Sequence, residues 1–187
     1  MRFCLFFLLG LMLAGCASVM DATSDGPIRQ YSGSRTTGAA MDDEHIENIT
    51  TVNIKKADQR LRASHFNVVS YNGVVLLVGQ VPNEALRNKA AEVASNVKRV
   101  RQVQNALTVG PNISGGTRFA DGWLTTKIKT KYLFNNDLSA RRIKVITENG
   151  VVYLMGLVKQ REGDLAARVA QQTGGTQRIV KAFEYVD

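Results

Sequence analysis

Trp123, Lys127, Lys131 and Phe134 are the residues of this chain whose types and spacing suit chemistry at an interface. On a helix with Lys127 set at zero, Trp123 falls at roughly −40°, Phe134 at roughly −20° and Lys131 at roughly +40°. The four share a face about 120° away from the apolar stripe of Leu124, Ile128 and Tyr132. Aromatic rings flanked by ammonium groups suit the headgroup layer of a bilayer, rings among the headgroups and cations near the phosphates. Each such cation contributes about 1 kcal/mol at an anionic surface, so the two lysines add ~2 kcal/mol, about thirtyfold in affinity. A phase rotated by about 30° would instead make Trp123 a core aromatic, and the sequence leaves both placements open. Lys129 points away from this face and reads as solvated.

Other reactive residue types lack partners at useful spacing. His45 and His65 are the only histidines, and neither falls in HExxH or in a Cys/His pattern, so no metal site is expected. Asp42-Asp43-Glu44 reads as carboxylates complementing the dipole at a helix start. No GxSxG is present, and Ser114-Gly115-Gly116 lacks the spacing of a phosphate-cradling loop. The expectation is a protein that is not an enzyme and carries no cofactor.

The elements that must position the interfacial residues come from a repeat. Val68 to Val81 reappears about 77 residues later as Val145 to Val158, with eight paired positions identical. Each copy is two β-rich runs joined by Asn-Gly, Asn72-Gly73 and Asn149-Gly150, the pair that best tolerates positive φ in a tight hairpin turn. Gly79 and Gly156 interrupt the second strand of each copy, where a bulge or a close backbone approach is expected. A helix follows each hairpin, marked by Leu86, Ala90, Val93 and Val97 in the first copy and by Leu165, Val169 and Thr173 in the second. The closing strands are Val100 to Val109 and Ile179 to Val186. Another helix precedes each hairpin, with Ile46, Ile49, Ile54, Ala57 and Leu61 in one and Leu124, Ile128 and Tyr132 in the other. The fold class is therefore α+β, two tandem αββαβ units, each a small three-stranded sheet covered by two helices.

The N-terminus is a targeting signal by its pattern: Arg2, an apolar run from Phe3 to Leu13, then small residues. The run is too short for a hydrocarbon core that needs roughly 20 residues. Leu13-Ala14-Gly15-Cys16 resembles the lipobox of bacterial lipoproteins, which implies cleavage before Cys16 and acylation of its sulfur and amino group. Cys4 would leave with the signal, so no free thiol would remain among the two cysteines. Ala17 and Ser18 follow Cys16, and in such families that sorting position points to the outer membrane, periplasmic face. From Cys16 to residue 41 the chain is rich in Ser, Gly, Thr and Asp and reads as a tether. The formal charge of +8 favours anionic partners. Export makes nucleic acid a poor one.

The αββαβ unit with Asn-Gly at its turn resembles the BON domain, through Asn72 to Gln80, Asp121 to Lys127 and Thr147 to Val158. Two such units behind a lipobox are similar to the dual-BON outer-membrane lipoproteins of the DolP type. The resemblance implies binding to anionic phospholipids of the outer-membrane inner leaflet and support of outer-membrane integrity, with no enzymatic activity. The expected organisation is a signal at 1–15, a tether at 16–41, modules at 42–109 and 121–187, and a linker at 110–120. The second module is expected to bind lipid and the first to serve structure or a protein contact. The rival reading is a periplasmic adaptor for outer-membrane assembly proteins. The modules are expected to be separable, so that a cut between Pro111 and Thr117 would release two folded fragments.

Overall fold

The computed structural model describes residues 35–186, and Cys16, the signal and the tether up to residue 34 lie outside them. Helix α1 spans Thr37–Ala57, its first turn capped by the Thr36 hydroxyl accepting from the Ala39 amide. Asp58 ends it in extended conformation and uses its carboxylate to cap the short α2, Gln59–Ala63, accepting from the Arg60 amide at 2.8 Å. The single helix expected through Leu61 is thus two, broken where an Asx cap competes with the helical backbone. Strands β1 (Phe66–Tyr71) and β2 (Val74–Val81) form the hairpin, α3 spans Glu84–Ser95, and β3 spans Gln102–Val109. The second copy repeats the order with α4 (Gly115–Leu133), β4 (Ile143–Glu148), β5 (Val151–Val158), α5 (Gln160–Gln171) and β6 (Arg178–Tyr185). In each sheet the hairpin is antiparallel and the last strand joins parallel to the central one. The α+β reading of two three-stranded sheets with helices holds.

Two boundaries move. Residues 37–41, read as tether, belong to α1, and the stretch expected as linker through 120 is helical from Gly115, where Ser114 supplies the N-cap. Asp42-Asp43-Glu44 therefore lies in the second turn of α1, away from the helix start.

Backbone geometry at the turns follows the residue types. Asn72 and Gly73 have φ of 53° and 76°, Asn149 and Gly150 49° and 72°, the double left-handed pair of a type I′ hairpin. At Gly79, φ is 128°, and a Cβ there would lie 2.3 Å from the His65 carbonyl oxygen. No other residue fits this crossing of β1 and β2.

Alternation along the strands sorts side chains into three apolar layers. Val75, Leu77 and Val81 face α1 to α3, and Val152, Leu154 and Val158 face α4 and α5. The opposite faces, with Tyr71, Val74, Leu76 and Val78 of the first sheet and Tyr153, Met155 and Ala182 of the second, pack against each other. The order of layers is helix, sheet, sheet, helix. This explains why all eight residues of β2 are buried: a central strand covered on both faces reads as a continuous apolar run.

The sheet pairing is quasi-twofold. Gln80 Nε2 donates to Glu148 Oε1 at 2.8 Å, while the Tyr71 hydroxyl lies against the Leu157 backbone amide. In the repeat Gln80 corresponds to Leu157 and Tyr71 to Glu148, so one contact is the other with the copies exchanged. Polar ties ring the apolar centre. Lys144 Nζ donates to Glu47 Oε1 at 2.7 Å and to the Ser70 carbonyl at 3.0 Å; Arg101 pairs with Glu184 at 2.7 Å. His65 sits 3.6 Å from the buried Glu148 carboxylate across this seam.

The expectation of separable modules is overturned, since the described residues 35–186 fall in one compact unit with a shared apolar seam. The connecting segment is itself tied back. Asn112 accepts from the His65 amide and donates to the Ala63 carbonyl, and the Ile113 amide donates to Gln80.

Candidate functional site

Helix α4 buries Asp121, Leu124, Ile128 and Tyr132 along one side. Two polar ties set its roll. The Asp121 carboxylate accepts from the Asn149 amide at 2.7 Å and the Gly150 amide at 2.9 Å, holding the helix to the hairpin turn of its own module. Ile128 lies about one turn before the end of the buried stripe, and at that end the Tyr132 hydroxyl donates to the Ala166 carbonyl at 2.7 Å, with burial pushing its pKa upward. With both ends keyed, the phase of the helix is decided.

Trp123 then lies outside, 60% exposed, and Phe134 is 85% exposed. Phe119 at 80% and Leu133 at 70% join them, two residues the sequence analysis did not single out. All four fall within an arc of roughly 100°, and from Phe119 to Phe134 the stripe runs about 22 Å along the helix. Four large apolar side chains exposed on one helix face form a patch of the kind that marks an interaction surface. The missed signal was the i, i+4 step from Phe119 to Trp123, obscured because residues up to 120 were read as linker.

Cations flank the stripe. Lys127 and Lys131 lie on the side toward α5, and each does something the sequence did not show. Lys127 Nζ donates to the Gly174 carbonyl at 2.9 Å and Lys131 Nζ to the Gln172 carbonyl at 3.4 Å, at the C-terminal end of α5. They neutralise orphan carbonyls and the negative end of the dipole there. Arg118 and Lys129 are exposed on the other flank, so Lys129 borders the patch from the far side.

The first module builds the same frame and omits the patch. Asp43 takes the place of Asp121, accepting from the Gly73 amide at 2.9 Å, the Asn72 amide at 2.8 Å and the Ser70 hydroxyl at 2.7 Å, with Arg35 paired to it at 2.6 Å. By the same spacing from this aspartate, the counterparts of Phe119, Trp123, Leu133 and Phe134 are Met41, His45, Lys55 and Lys56. Only Met41 is a large apolar side chain. Among the described residues no group of three or more His, Cys, Asp or Glu is arranged to hold a metal ion, and no helix is long and apolar enough to cross a membrane.

The model of the BON domain matches residues 42–111 and again 120–187. The chain belongs to the BON-domain family. Both αββαβ units are BON modules, and the aspartate that clamps each Asn-Gly turn lies at the head of each. The chain is 38% identical over 178 residues to the outer membrane lipoprotein DolP of Haemophilus influenzae, covering 95% of this chain and 92% of that protein. It is 38% identical to the 21 kDa hemolysin of Actinobacillus pleuropneumoniae, over 81% of this chain and 78% of the relative. The osmotically-inducible protein Y of Escherichia coli is 30% identical, over 79% of this chain and 75% of its own length.

Proposed function

We propose that this two-BON protein is an outer-membrane lipoprotein, anchored through Cys16 and facing the periplasm, whose second BON module lays α4 on anionic phospholipid and so supports envelope integrity. The observation that carries the reading is the exposed stripe of Phe119, Trp123, Leu133 and Phe134 bordered by cations on both sides. Such a helix binds in the plane of an interface: apolar side chains enter the headgroup region, and basic groups meet phosphate. Support for the location comes from the name carried by the Haemophilus influenzae relative and from Leu13-Ala14-Gly15-Cys16. Support for a non-enzymatic role comes from the family.

The test is flotation of an anchor-less chain that starts at Ala17, without the signal run and Cys16, with vesicles of phosphatidylcholine, with and without phosphatidylglycerol. Binding that needs the anionic lipid and falls with salt supports the reading. Failure to float with either composition, with the protein folded, would leave the patch to a protein partner and favour the adaptor. Radiolabelled fatty acid should enter the natural chain and not the Cys16→Ser variant.

A further inference from the structure

We propose that Lys127 and Lys131 are a lipid-operated latch: on an anionic surface they leave the carbonyls of Gly174 and Gln172 for phosphate and loosen the turn after α5. This rests on the lipid reading of α4 and adds to it a response of the fold. The two ammonium groups are one helical turn apart and border the exposed stripe, so a bilayer that receives Trp123 and Phe134 brings phosphates to the same flank. Their present acceptors are neutral carbonyls, at 2.9 and 3.4 Å. In the present bonds the ammonium is the only charged partner, whereas a lipid phosphate oxygen adds an opposite charge of its own, so phosphate displaces the carbonyl at an anionic surface.

The turn can release them. Gln172, Gly174 and Gly175 are exposed, and nothing stands within 4 Å of where a Cβ on Gly174 would be, so water can replace the lost donors. Five internal bonds remain: the Gln172 amide to the Arg168 carbonyl, the Thr173 amide to the Ala170 carbonyl, Thr173 Oγ1 to the Val169 carbonyl, the Thr176 amide to the Thr173 carbonyl and Thr176 Oγ1 to the Ala170 carbonyl. The change therefore stays local. The end of α5 loses its cationic cap, and residues 172–176 open more often while the sheet behind them holds.

Amide exchange followed by NMR on the anchor-less chain tests this at Gln172, Thr173 and Thr176, whose amides are all hydrogen-bonded in the turn. Phosphatidylglycerol-containing vesicles should speed exchange there at least threefold, and phosphatidylcholine vesicles should leave it unchanged. Inorganic phosphate forms a third arm, and acceleration by it alone would show that the latch answers to phosphate without a bilayer. The Lys127→Met, Lys131→Met double variant should show fast exchange without lipid and no further response. If the anchor-less chain with both lysines intact floats with anionic vesicles while exchange at these amides is unchanged or slowed, the latch is wrong and the lipid reading survives. If the chain does not float, both fall.

Discussion

Asp43 Oδ1 accepts a hydrogen bond from the Gly73 amide at 2.9 Å, joining the second turn of α1 to the tip of the β1–β2 hairpin. Burial pushes the Asp43 carboxyl up, but hydrogen bonds from the Gly73 amide, the Ser70 hydroxyl, Arg35 and the Asn72 amide outweigh it and hold its pKa below the ordinary 3.8. A carboxylate lowered in the folded state stabilises fully above its unfolded pKa, and the contribution is lost as pH falls through the folded value. Asp43→Asn should cost about 2–3 kcal/mol near neutral pH, because an amide cannot accept from every donor around it. The urea midpoints of the two proteins should differ steadily above about pH 5 and converge below about pH 4. A gap that persists in strong acid would contradict the assignment.

The two sheets meet through Leu76, Val78, Tyr153 and Met155, so the BON modules should unfold together. One transition in urea is expected, coincident by fluorescence and circular dichroism. Leu76→Ala, at the seam, should lower stability by about 2–4 kcal/mol without splitting that transition. Protease that nicks the exposed stretch near Pro111 should leave the halves associated in gel filtration. Two freely separating fragments would mean that the seam is too weak to hold.

Gly79 brings β2 against the His65 carbonyl, where a Cβ would stand 2.3 Å from the oxygen. Since the obstacle is backbone and φ is 128°, Gly79→Ala should destabilise by about 3 kcal/mol or more through strain and displacement of β1. Thermal unfolding measures it directly. Gly174→Ala, placed in open space, should change little and serves as the control.

Phe119 and Leu133 are exposed, so their replacement separates binding from folding. Phe119→Ser and Leu133→Ser should each leave stability within about 0.5 kcal/mol while weakening flotation with anionic vesicles severalfold. Trp123 emission should start red, as its exposure requires, move blue with those vesicles and return when salt is raised. For the lysines a neutral side chain such as Met is the informative substitution, because a carboxylate facing the Gln172 and Gly174 carbonyls would disturb the end of α5 and confuse the two effects.

The repeat, both I′ turns and the αββαβ order were legible in the sequence because each rests on local chemistry, whereas the parallel pairing of each third strand appeared only in the structure. Asn-Gly tolerates positive φ wherever it occurs, and a strand or helix period is written within a dozen residues. The run Val74-Val75-Leu76-Leu77-Val78 also held a signal that a one-sided sheet would not need: alternate residues apolar on both faces require a second cover. What supplies that cover is a matter of long-range complementarity, and only the packed structure shows that each module covers the other. The same division holds at the candidate site. Sequence spacing placed Trp123, Lys127, Lys131 and Phe134 on one face of a helix, but helical periodicity sets angles between residues and leaves the roll of the helix undetermined. That roll was decided in three dimensions by the hold of Asp121 on the turn at Asn149-Gly150 and of Tyr132 on Ala166. These ties also set Lys127 and Lys131 against the end of α5, a contact between segments more than forty residues apart that no local pattern encodes.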